Sequence, residues 1–228
     1  MKILVALAHP DDEVLGCGGS IAKWTSQGDE VRILLFSDGV SSRSLATDSP
    51  TDVSSLIAKR QECAKRAANR LGVVTVEFLN FPDNQMDSLS LLKVVQPLEE
   101  KLSSFMPDMV VTHHVNDLNV DHQITHKAIV TACRPQPHSS VKRILACEIV
   151  SSTNWQNPSS DPYFTPNWYV DISDSLEIKH LALLEYSDEL RTWPHSRSVE
   201  SLRHLAMWRG ATIGCQAAEA FMLIRNID

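Results

Sequence analysis

Residues 8–13 read AHPDDE and place one imidazole and three carboxylates at the end of the apolar run ILVALA, residues 3–8. Imidazole and carboxylate groups hold metal ions and transfer protons, so this segment is the first candidate for a reactive site. Pro10 fixes its own φ angle and favours an extended conformation for His9. Neighbouring side chains can therefore be aimed in different directions rather than along one helix face.

A second polar cluster, HHVNDLNVDHQITH at residues 113–126, follows a later apolar run. Together the two clusters offer the His and Asp side chains of catalytic zinc sites, which use three protein ligands and leave a fourth position for water. These ingredients predict a metal-dependent hydrolase. His126 lies four residues after His122 and shares its helix face, so it would be a fourth ligand or a packing residue, and we favour packing.

The elements that must position these clusters follow a βαβ pattern. Apolar runs predict strands at 2–8, 30–37, 73–79, 108–114 and 142–150, and the stretches between them predict helices at 16–27, 53–71, 88–105 and 121–133. We expect an α/β fold, a Rossmann-like three-layer αβα arrangement around a mostly parallel sheet, in one domain over residues 1–228. In doubly wound sheets the first and fourth strands are neighbours, which would bring the two clusters together across the ligand crevice.

Two further segments are irregular. GCGG at residues 16–19 predicts a tight turn into the first helix, because glycine adopts conformations that other residues avoid. Residues 151–168 are rich in Pro, Ser, Asn and aromatic side chains. They predict a long loop of the kind that covers sites.

The composition narrows the classes of function. With 228 residues, 43% hydrophobic, the chain can bury a substantial core, and a net charge of −7 argues against electrostatic binding of nucleic acid or an anionic membrane. Five cysteines without a CxxC pair fit neither a disulfide framework nor a cysteine zinc site. The apolar runs are too short for a signal peptide or a membrane span, so we expect a cytoplasmic protein with a small-molecule ligand. The sequence leaves open whether the chain forms a homo-oligomer, and the region beyond about residue 173 is a candidate subunit contact.

The two clusters resemble the signature of the PIG-L/LmbE-like zinc-dependent N-deacetylases. The resemblance extends over nearly the whole chain, through KRQECAKRAANRLG (59–72), FPDN (81–84), THHVNDLNVDH (112–122) and RGATIGCQAAEAF (209–221). It implies that His9, Asp12 and His122 bind one zinc ion and that Asp11 is the general base; these ligand types also accept other divalent ions. The chemistry agrees, since an amide is a poor electrophile and neutral water a poor nucleophile near pH 7.

One position departs from the family pattern. Many members read HPDH at the second motif, whereas this chain reads NVDH, with Asn119 where the first His would stand. An Asn side chain donates a hydrogen bond but cannot act as an acid. Either Asn119 serves only as a donor, or His113 or His114 supplies the imidazole. Asp121 would orient an imidazole of the metal site.

Arg60 falls in the middle of the apolar stripe of the predicted helix at 53–71. An inward-facing Arg needs a partner, so it would pair with a structural carboxylate or bind hydroxyls or phosphate of a substrate. In the resembled family the matching Arg, and an Asp that would be Asp83, contact the sugar.

Three functions stay open from the sequence. The first is a deacetylase acting on an N-acetylated amino sugar, such as an N-acetylglucosamine-type glycoside, nucleotide sugar or conjugate. The second is a phosphoesterase with two metal ions about 4 Å apart. The third is a non-catalytic nucleotide-binding module, which is weakened because GCGGS lacks the third glycine of the dinucleotide motif. Trp155 and Trp168 would stack on a sugar or anchor the 151–168 loop, and we favour the anchor.

Overall fold

The computed structural model describes residues 1–43, 50–137, 139–157 and 162–228. His138 and residues 158–161 of the predicted long loop lie outside these ranges. Within them the strands are β1 Lys2–Leu7, β2 Glu30–Ser37, β3 Thr75–Phe81, β4 Met109–His113, β5 Arg143–Cys147, β6 Trp168–Asp171 and β7 Ala218–Asn226. The α-helices are α1 Asp12–Ser26, α2 Pro50–Arg70, α3 Leu91–Phe105, α4 Val120–Ala132, α5 Leu176–Leu184 and α6 Val199–Ile213.

The strands of the described ranges form one seven-stranded sheet in the order β3-β2-β1-β4-β5-β7-β6. The first five strands pair in parallel, while β7 runs antiparallel to both β5 and β6. The prediction of an α/β fold with a mostly parallel sheet is confirmed. β1 and β4 are neighbours, as the doubly wound order requires.

Apolar side chains cover both faces of the sheet. In β1 the residues Ile3, Val5 and Leu7 pack into one core with α1, α2 and α5, whereas Leu4 and Ala6 pack into a second core with α3 and α4. This alternation is that of a strand buried on both sides, which explains the near-continuous apolar run in its sequence. The molecule therefore has three layers, helices over sheet over helices.

The GCGG segment does not form the predicted turn. The segment lies inside α1, which begins at Asp12, and only Cys17 has non-helical angles, φ −150° and ψ 22°. A Cβ atom at Gly16 would lie 2.7 Å from Ile149 Cδ1, and one at Gly19 would lie 2.7 Å from Ile172 Cδ1. The glycines are needed because neighbouring segments approach the helix too closely for a side chain, so the turn prediction was wrong.

The sheet order brings the two polar clusters together. β1 and β4 pair in register from Ile3 with Met109 to Val5 with Val111, so both strands end at the same edge of the sheet. The loop at 8–11 leaves β1 there, and the segment 114–119 leaves β4 there. None of the described helices is long and apolar enough to cross a bilayer.

Candidate active site

Three buried side chains converge at the carboxyl ends of β1 and β4. His9 Nδ1 lies 3.2 Å from Asp12 Oδ2 and 3.1 Å from His122 Nε2, and His122 Nε2 lies 3.3 Å from Asp12 Oδ2. All three residues are buried. Two imidazole nitrogens and one carboxylate oxygen, from the loop after β1, the start of α1 and the start of α4, therefore face one point.

The spacing of these atoms fits a divalent metal ion. Metal–ligand distances of about 2.0 to 2.2 Å place two ligands of a tetrahedral ion roughly 3.3 to 3.6 Å apart, and the observed separations of 3.1 to 3.3 Å lie at or within 0.2 Å below that range. A neutral imidazole carries one N–H, so when the nitrogen that faces away from the cluster holds the proton, the nitrogen that faces the cluster has a free lone pair. Asp12 Oδ1 is also buried without a hydrogen-bond partner among the described atoms. The three side chains thus have the geometry and the unused lone pairs of metal ligands.

Two further carboxylates hold the imidazoles from behind. His9 Nε2 lies 3.1 Å from Asp121 Oδ2, and His122 Nδ1 lies 3.2 Å from Asp117 Oδ2. Such contacts fix which ring nitrogen faces the cluster and increase its basicity. Burial opposes a charge on His122, but Asp117 and Asp12 raise its pKa to about 9. The pKa of His9 is also well above its usual value, despite burial, through Asp12 and Asp121. The cluster therefore attracts positive charge.

Asp11 has a strained backbone immediately before α1. Its φ of 133° and ψ of −26° lie where residues with a side chain are rarely found. Its N–H donates to Glu13 Oε2 at 3.1 Å, and its carbonyl accepts from the Leu15 N–H at 2.9 Å. Strain of this kind persists only where the surroundings hold the residue in place, and it is concentrated at functional sites.

Two arginines hold one oxygen of the Asp11 carboxylate. Asp11 Oδ2 lies 3.2 Å from Arg60 Nη2 and 3.0 Å from Arg197 Nη1. The other oxygen, Oδ1, is buried and has no hydrogen-bond partner among the described atoms. Burial raises the pKa of Asp11, and the charges of Arg197 and Arg60 limit that rise. A carboxylate with one anchored and one unused oxygen is suited to accept a proton in a fixed direction.

Arg60 bridges two carboxylates. Besides Asp11, its Nη1 lies 3.0 Å from Glu189 Oε1, and its guanidinium lies 5.3 Å from the centre of the Tyr186 ring. The Tyr186 hydroxyl donates to Glu13, whose pKa burial raises to about 7. The sequence left open whether Arg60 pairs with a carboxylate or binds a substrate. In the structure it pairs with the carboxylates of Asp11 and Glu189. Its contact with a substrate stays a prediction.

Asn119, which replaces the usual His of the second motif, caps α4. Its Oδ1 accepts from the N–H groups of Asp121 at 2.8 Å and His122 at 3.4 Å. Its Nδ2 donates to Asn84 Oδ1 at 2.9 Å. An N-cap satisfies helix N–H groups that have no partner within the helix. The side chain therefore orders the segment that carries His122, and its role as a donor to substrate stays a prediction.

His113 and His126 have structural partners. His113 Nε2 accepts from the Ala8 N–H at 2.7 Å, and its ring stacks on that of His122 with 3.7 Å between centroids. Burial holds the pKa of His113 well below its usual value. His126 Nδ1 donates to the His113 carbonyl at 2.8 Å, which fits the packing role favoured for it.

His114 is a buried neutral imidazole. Burial lowers its pKa to about 4, so it carries no charge near pH 7. Its Nδ1 accepts a long hydrogen bond of 3.4 Å from the Asn116 N–H, and its ring meets Phe164 edge-on at 5.5 Å. Nε2 has no partner among the described atoms, so its N–H is available as a donor.

Asp83 lies beside the metal cluster. Its Oδ1 is 3.2 Å from His9 Nε2, and His9, Asp83 and Asp121 form a second group with ligand atoms close enough for a metal ion. However, the two oxygens of Asp121 already accept the N–H groups of Asn84 at 2.7 Å and Met86 at 3.0 Å. This group is therefore better explained as support for the His9 imidazole than as a second metal site. The group therefore gives no independent support to the two-metal phosphoesterase.

A cavity of about 410 Å³ opens beside Arg60. Its wall also includes Val40, Leu56, Tyr186 and Glu189. Arg60 and Glu189 belong both to this wall and to the ion pairs that hold Asp11. A ligand in the cavity that contacts Arg60 would thus be linked to Asp11 through this side chain.

Three residues of the site had not been predicted from the sequence. Asp117 stands within the second cluster, so its position gave a usable signal. Arg197 and Glu189 lie more than 170 residues from Asp11 in a polar region without helical or strand periodicity. Only the fold brings Arg197 to Asp11 and Glu189 to the two arginines around it.

Comparisons with known proteins show which family the chain belongs to. Residues 4–133 match the model of the PIG-L family, described as GlcNAc-PI de-N-acetylase. The diacetylchitobiose deacetylase of Thermococcus kodakarensis is 26% identical over 99% of this chain and 84% of its own length. The structure of the N,N′-diacetylchitobiose deacetylase from Pyrococcus horikoshii superimposes with a TM-score of 0.77 at 25% identity, covering 98% of this chain and 84% of the other.

A hydratase shares the fold as well. The 4-carboxy-2-hydroxymuconate hydratase GalB from Pseudomonas putida superimposes with a TM-score of 0.77 at 19% identity, over 100% of this chain and 97% of its own. This similarity shows the fold alone, so the reaction has to be argued from the site.

The family match covers more than half of the chain, and the chain belongs to the PIG-L family. The protein is accordingly an N-deacetylase, an enzyme that hydrolyses an amide C–N bond. The prediction of the family from the two clusters is confirmed.

Proposed function

We propose that the protein removes the N-acetyl group from an N-acetylated amino sugar of the N-acetylglucosamine type, carried as a glycoside, nucleotide sugar or conjugate, with one zinc ion as cofactor. The observation that supports this most is the convergence of His9 Nδ1, Asp12 Oδ2 and His122 Nε2 beside Asp11. The names of the relatives, which refer to deacetylation of a chitin disaccharide, support an amino sugar as substrate.

In this proposal His9, Asp12 and His122 hold the zinc ion, and Asp121 and Asp117 orient the two imidazoles. When bound, zinc lowers the pKa of a coordinated water and polarises the acyl oxygen. Three protein ligands leave room for the water and the substrate. Iron, cobalt and other divalent ions also accept these ligands, so the metal has to be identified by experiment.

Asp11 is the proposed general base. Its Oδ1 would take a proton from the attacking water while Arg60 and Arg197 keep Oδ2 fixed. A carboxylate held at one oxygen needs little reorientation before the proton transfers. The same carboxyl can return that proton to the nitrogen as the C–N bond breaks. This would explain why the chain tolerates Asn119 at a position where an imidazole is usual.

Donors to the developing oxyanion and groups that contact the sugar complete the proposal. The neutral His114, through Nε2–H, and the amide of Asn119 are the candidate donors for the oxyanion. Asp83 would accept a hydrogen bond from a sugar hydroxyl, and Arg60 would contact the substrate from the cavity side.

The test is acetate release from a panel of free, glycosidic and nucleotide-linked N-acetylhexosamines. The protein is stripped of metal and reloaded with one equivalent of zinc. We expect release only after reloading. If no member releases acetate, and the protein binds two metal ions and liberates phosphate from a phosphoester, the phosphoesterase replaces this proposal.

A further inference from the structure

Tyr186 is a buried polar side chain to which the proposed mechanism gives no role. It lies in the turn that follows α5, and only 1% of its surface is exposed. A buried phenol hydroxyl needs a hydrogen-bond partner, and this one donates to Glu13 Oε1. A phenylalanine would fill the same space without that requirement. The hydroxyl is therefore a feature to explain.

The hydroxyl of Tyr186 is connected to the backbone of Asp11 through a single carboxylate. Glu13 Oε1 accepts from Tyr186, and Glu13 Oε2 accepts from the Asp11 N–H at 3.1 Å. This N–H belongs to the residue with the strained φ of 133°. Because one carboxylate accepts both hydrogen bonds, the hydroxyl restricts rotation of the Glu13 side chain. It thereby fixes the acceptor that holds the Asp11 peptide group.

The ring of Tyr186 contacts the arginine that holds the Asp11 side chain. The ring centre lies 5.3 Å from Arg60 Cζ, and Arg60 Nη2 lies 3.2 Å from Asp11 Oδ2. A guanidinium over an aromatic face at this distance is attracted to the ring. The ring therefore supports the orientation in which Arg60 reaches the carboxylate.

The main chain of Tyr186 makes a third connection, to the other carboxylate on the same arginine. The Tyr186 carbonyl accepts from the Glu189 N–H at 2.8 Å, and Glu189 Oε1 lies 3.0 Å from Arg60 Nη1. Hydroxyl, ring and carbonyl of one residue thus each lead to Asp11, the first through Glu13 and the other two through Arg60. A contact made only for packing does not require this convergence.

We propose that Tyr186 is a positioning residue for the base: it fixes the Asp11 carboxylate for proton transfer by holding both the peptide group of Asp11 and its partner Arg60. The inference rests on the proposed deacetylase function, in which Asp11 takes a proton from the attacking water. A displaced base transfers the proton less readily, while the substrate keeps its own contacts. The effect therefore falls on kcat rather than on KM.

The first experiment removes the hydroxyl alone. Zinc-loaded wild type, Tyr186→Phe and the control Tyr169→Phe are compared on the N-acetylhexosamine of the panel that releases acetate fastest. The control removes a hydroxyl on β6 that donates to the Pro166 carbonyl at 3.4 Å. We expect Tyr186→Phe to retain one equivalent of zinc, to lower kcat about tenfold and to change KM by less than about twofold. Tyr169→Phe should match the wild type.

A double-mutant cycle with Asp11→Asn tests whether Tyr186 acts through the base. If it does, Tyr186→Phe lowers kcat in the wild-type background and leaves the residual kcat of Asp11→Asn nearly unchanged. Thermal unfolding of each variant gives its folded fraction. An unchanged kcat for Tyr186→Phe, a fall that only follows the folded fraction, or the same loss in both backgrounds overturns the inference.

A structural measurement keeps the inference separate from the proposed reaction. If the wild type releases acetate from no sugar of the panel, the deacetylase proposal fails, and crystal structures of wild type and Tyr186→Phe then decide the role of Tyr186 without turnover. A displaced Asp11 carboxylate, or loss of the hydrogen bond from the Asp11 N–H to Glu13, supports the positioning role. The same position and contacts of Asp11 in both structures overturn it and leave Tyr186 as a packing residue.

Discussion

Asp11 is the residue on which the proposed mechanism depends most. Replacement by Asn keeps the shape of the side chain and the donors around it but removes the negative charge and the basic oxygen. We expect Asp11→Asn to retain zinc and to lose about 100-fold to 10,000-fold in kcat, the range that a general base contributes. Metal analysis and acetate release on the same sample measure both quantities.

His122→Ala is the matched control, because it removes a ligand and leaves Asp11 in place. It should lose zinc along with activity. If Asp11→Asn instead retains near-normal turnover, the base is another group, and Glu13, with a pKa of about 7, becomes the next candidate.

Arg197 is a positioning residue for Asp11. Its Nη1 contacts Asp11 Oδ2 at 3.0 Å, and its Nε donates to Ser151 Oγ at 2.7 Å, so the guanidinium is held at both ends. Arg197→Met should therefore lower kcat roughly tenfold or more and change KM little, since the base loses its anchor rather than the substrate a contact.

Arg197→Lys distinguishes positioning from a general loss of structure. A lysine keeps the charge but not the two-ended hold, so we expect kcat between those of Arg197→Met and the wild type. Thermal unfolding of both variants should show whether they are folded. A fall in kcat that only follows the folded fraction would contradict the positioning role.

The candidate site could be predicted in part from the sequence. Residue types were enough to nominate the two clusters as a metal site, and the resemblance to the PIG-L/LmbE-like family assigned His9, Asp12 and His122 as ligands and Asp11 as the base. The carboxylates that contact the imidazoles are less visible: Asp121 adjoins a motif, and Asp117 stands within the second cluster, where an Asp is also common as a turn residue. Arg197 and Glu189 could not be found, because a single charged side chain in a polar segment has no pattern until the fold brings it to Asp11.

At the scale of elements, α1 depends on a contact with β7. After its break at Cys17, the helix continues with N–H groups that lack helical partners. Glu219 of β7 accepts two of these, from Gly19 at 2.9 Å and Ser20 at 2.7 Å. Lys179 of α5 pairs with the same carboxylate at 2.6 Å, and all of these groups are buried. A buried carboxylate thus joins three elements around the helix that begins at Asp12.

Removing this carboxylate should destabilise the fold strongly. We expect Glu219→Ala to lower the free energy of unfolding by about 3 to 5 kcal/mol, because it leaves Lys179 buried without its counter-charge. Chemical denaturation of the purified variant measures this free energy. If the alanine variant does not fold, Glu219→Gln is measured in its place. The control is Asp188→Ala, which breaks the exposed pair with Lys59 and should leave stability unchanged. Similar losses in both variants would contradict the role of the buried carboxylate.

The strands and helices of the first 150 residues could be predicted because their apolar residues follow clear patterns. β1 to β5 are apolar runs, and α1 to α4 lie within a few residues of the predicted helices. The start of α1 was missed because its glycines suggest a turn, whereas close packing against Ile149 and Ile172 requires them. β6 was missed because it is an edge strand of only four residues, and β7 was missed because its position between β5 and β6 is set by the rest of the sheet.

At the scale of the whole molecule, the site exists only because the strand order of the sheet places β1 beside β4. Its proposed metal ligands come from chain segments about 110 residues apart, and the pairing of β1 with β4 brings them together. The enzyme therefore loses the metal cluster whenever the sheet opens. Metal binding in turn stabilises the folded state, since the unfolded chain holds no such cluster.

Acid should destabilise the whole fold through His114. An unfolded chain has a His pKa near 6.5, whereas the buried His114 has a pKa of about 4. The unfolded state therefore binds a proton more readily, so the contribution of His114 to stability is complete above pH 6.5 and is lost as the pH falls toward 4. The difference in pKa corresponds to a loss of about 2 to 3 kcal/mol across this interval.

The variant His114→Gln isolates this contribution, because it keeps a polar side chain of similar length that does not titrate. Unfolding free energies of the metal-free wild type and variant are measured between pH 7 and pH 4. Other groups titrate in both proteins, so the difference between the two curves reports His114 alone. The wild type should lose more stability than the variant, and most of that extra loss should fall below pH 6.5. Parallel curves would mean that His114 is solvated in the folded state and that its imidazole is not held neutral by burial. In that case it could not remain the uncharged donor that the proposed mechanism assigns to it.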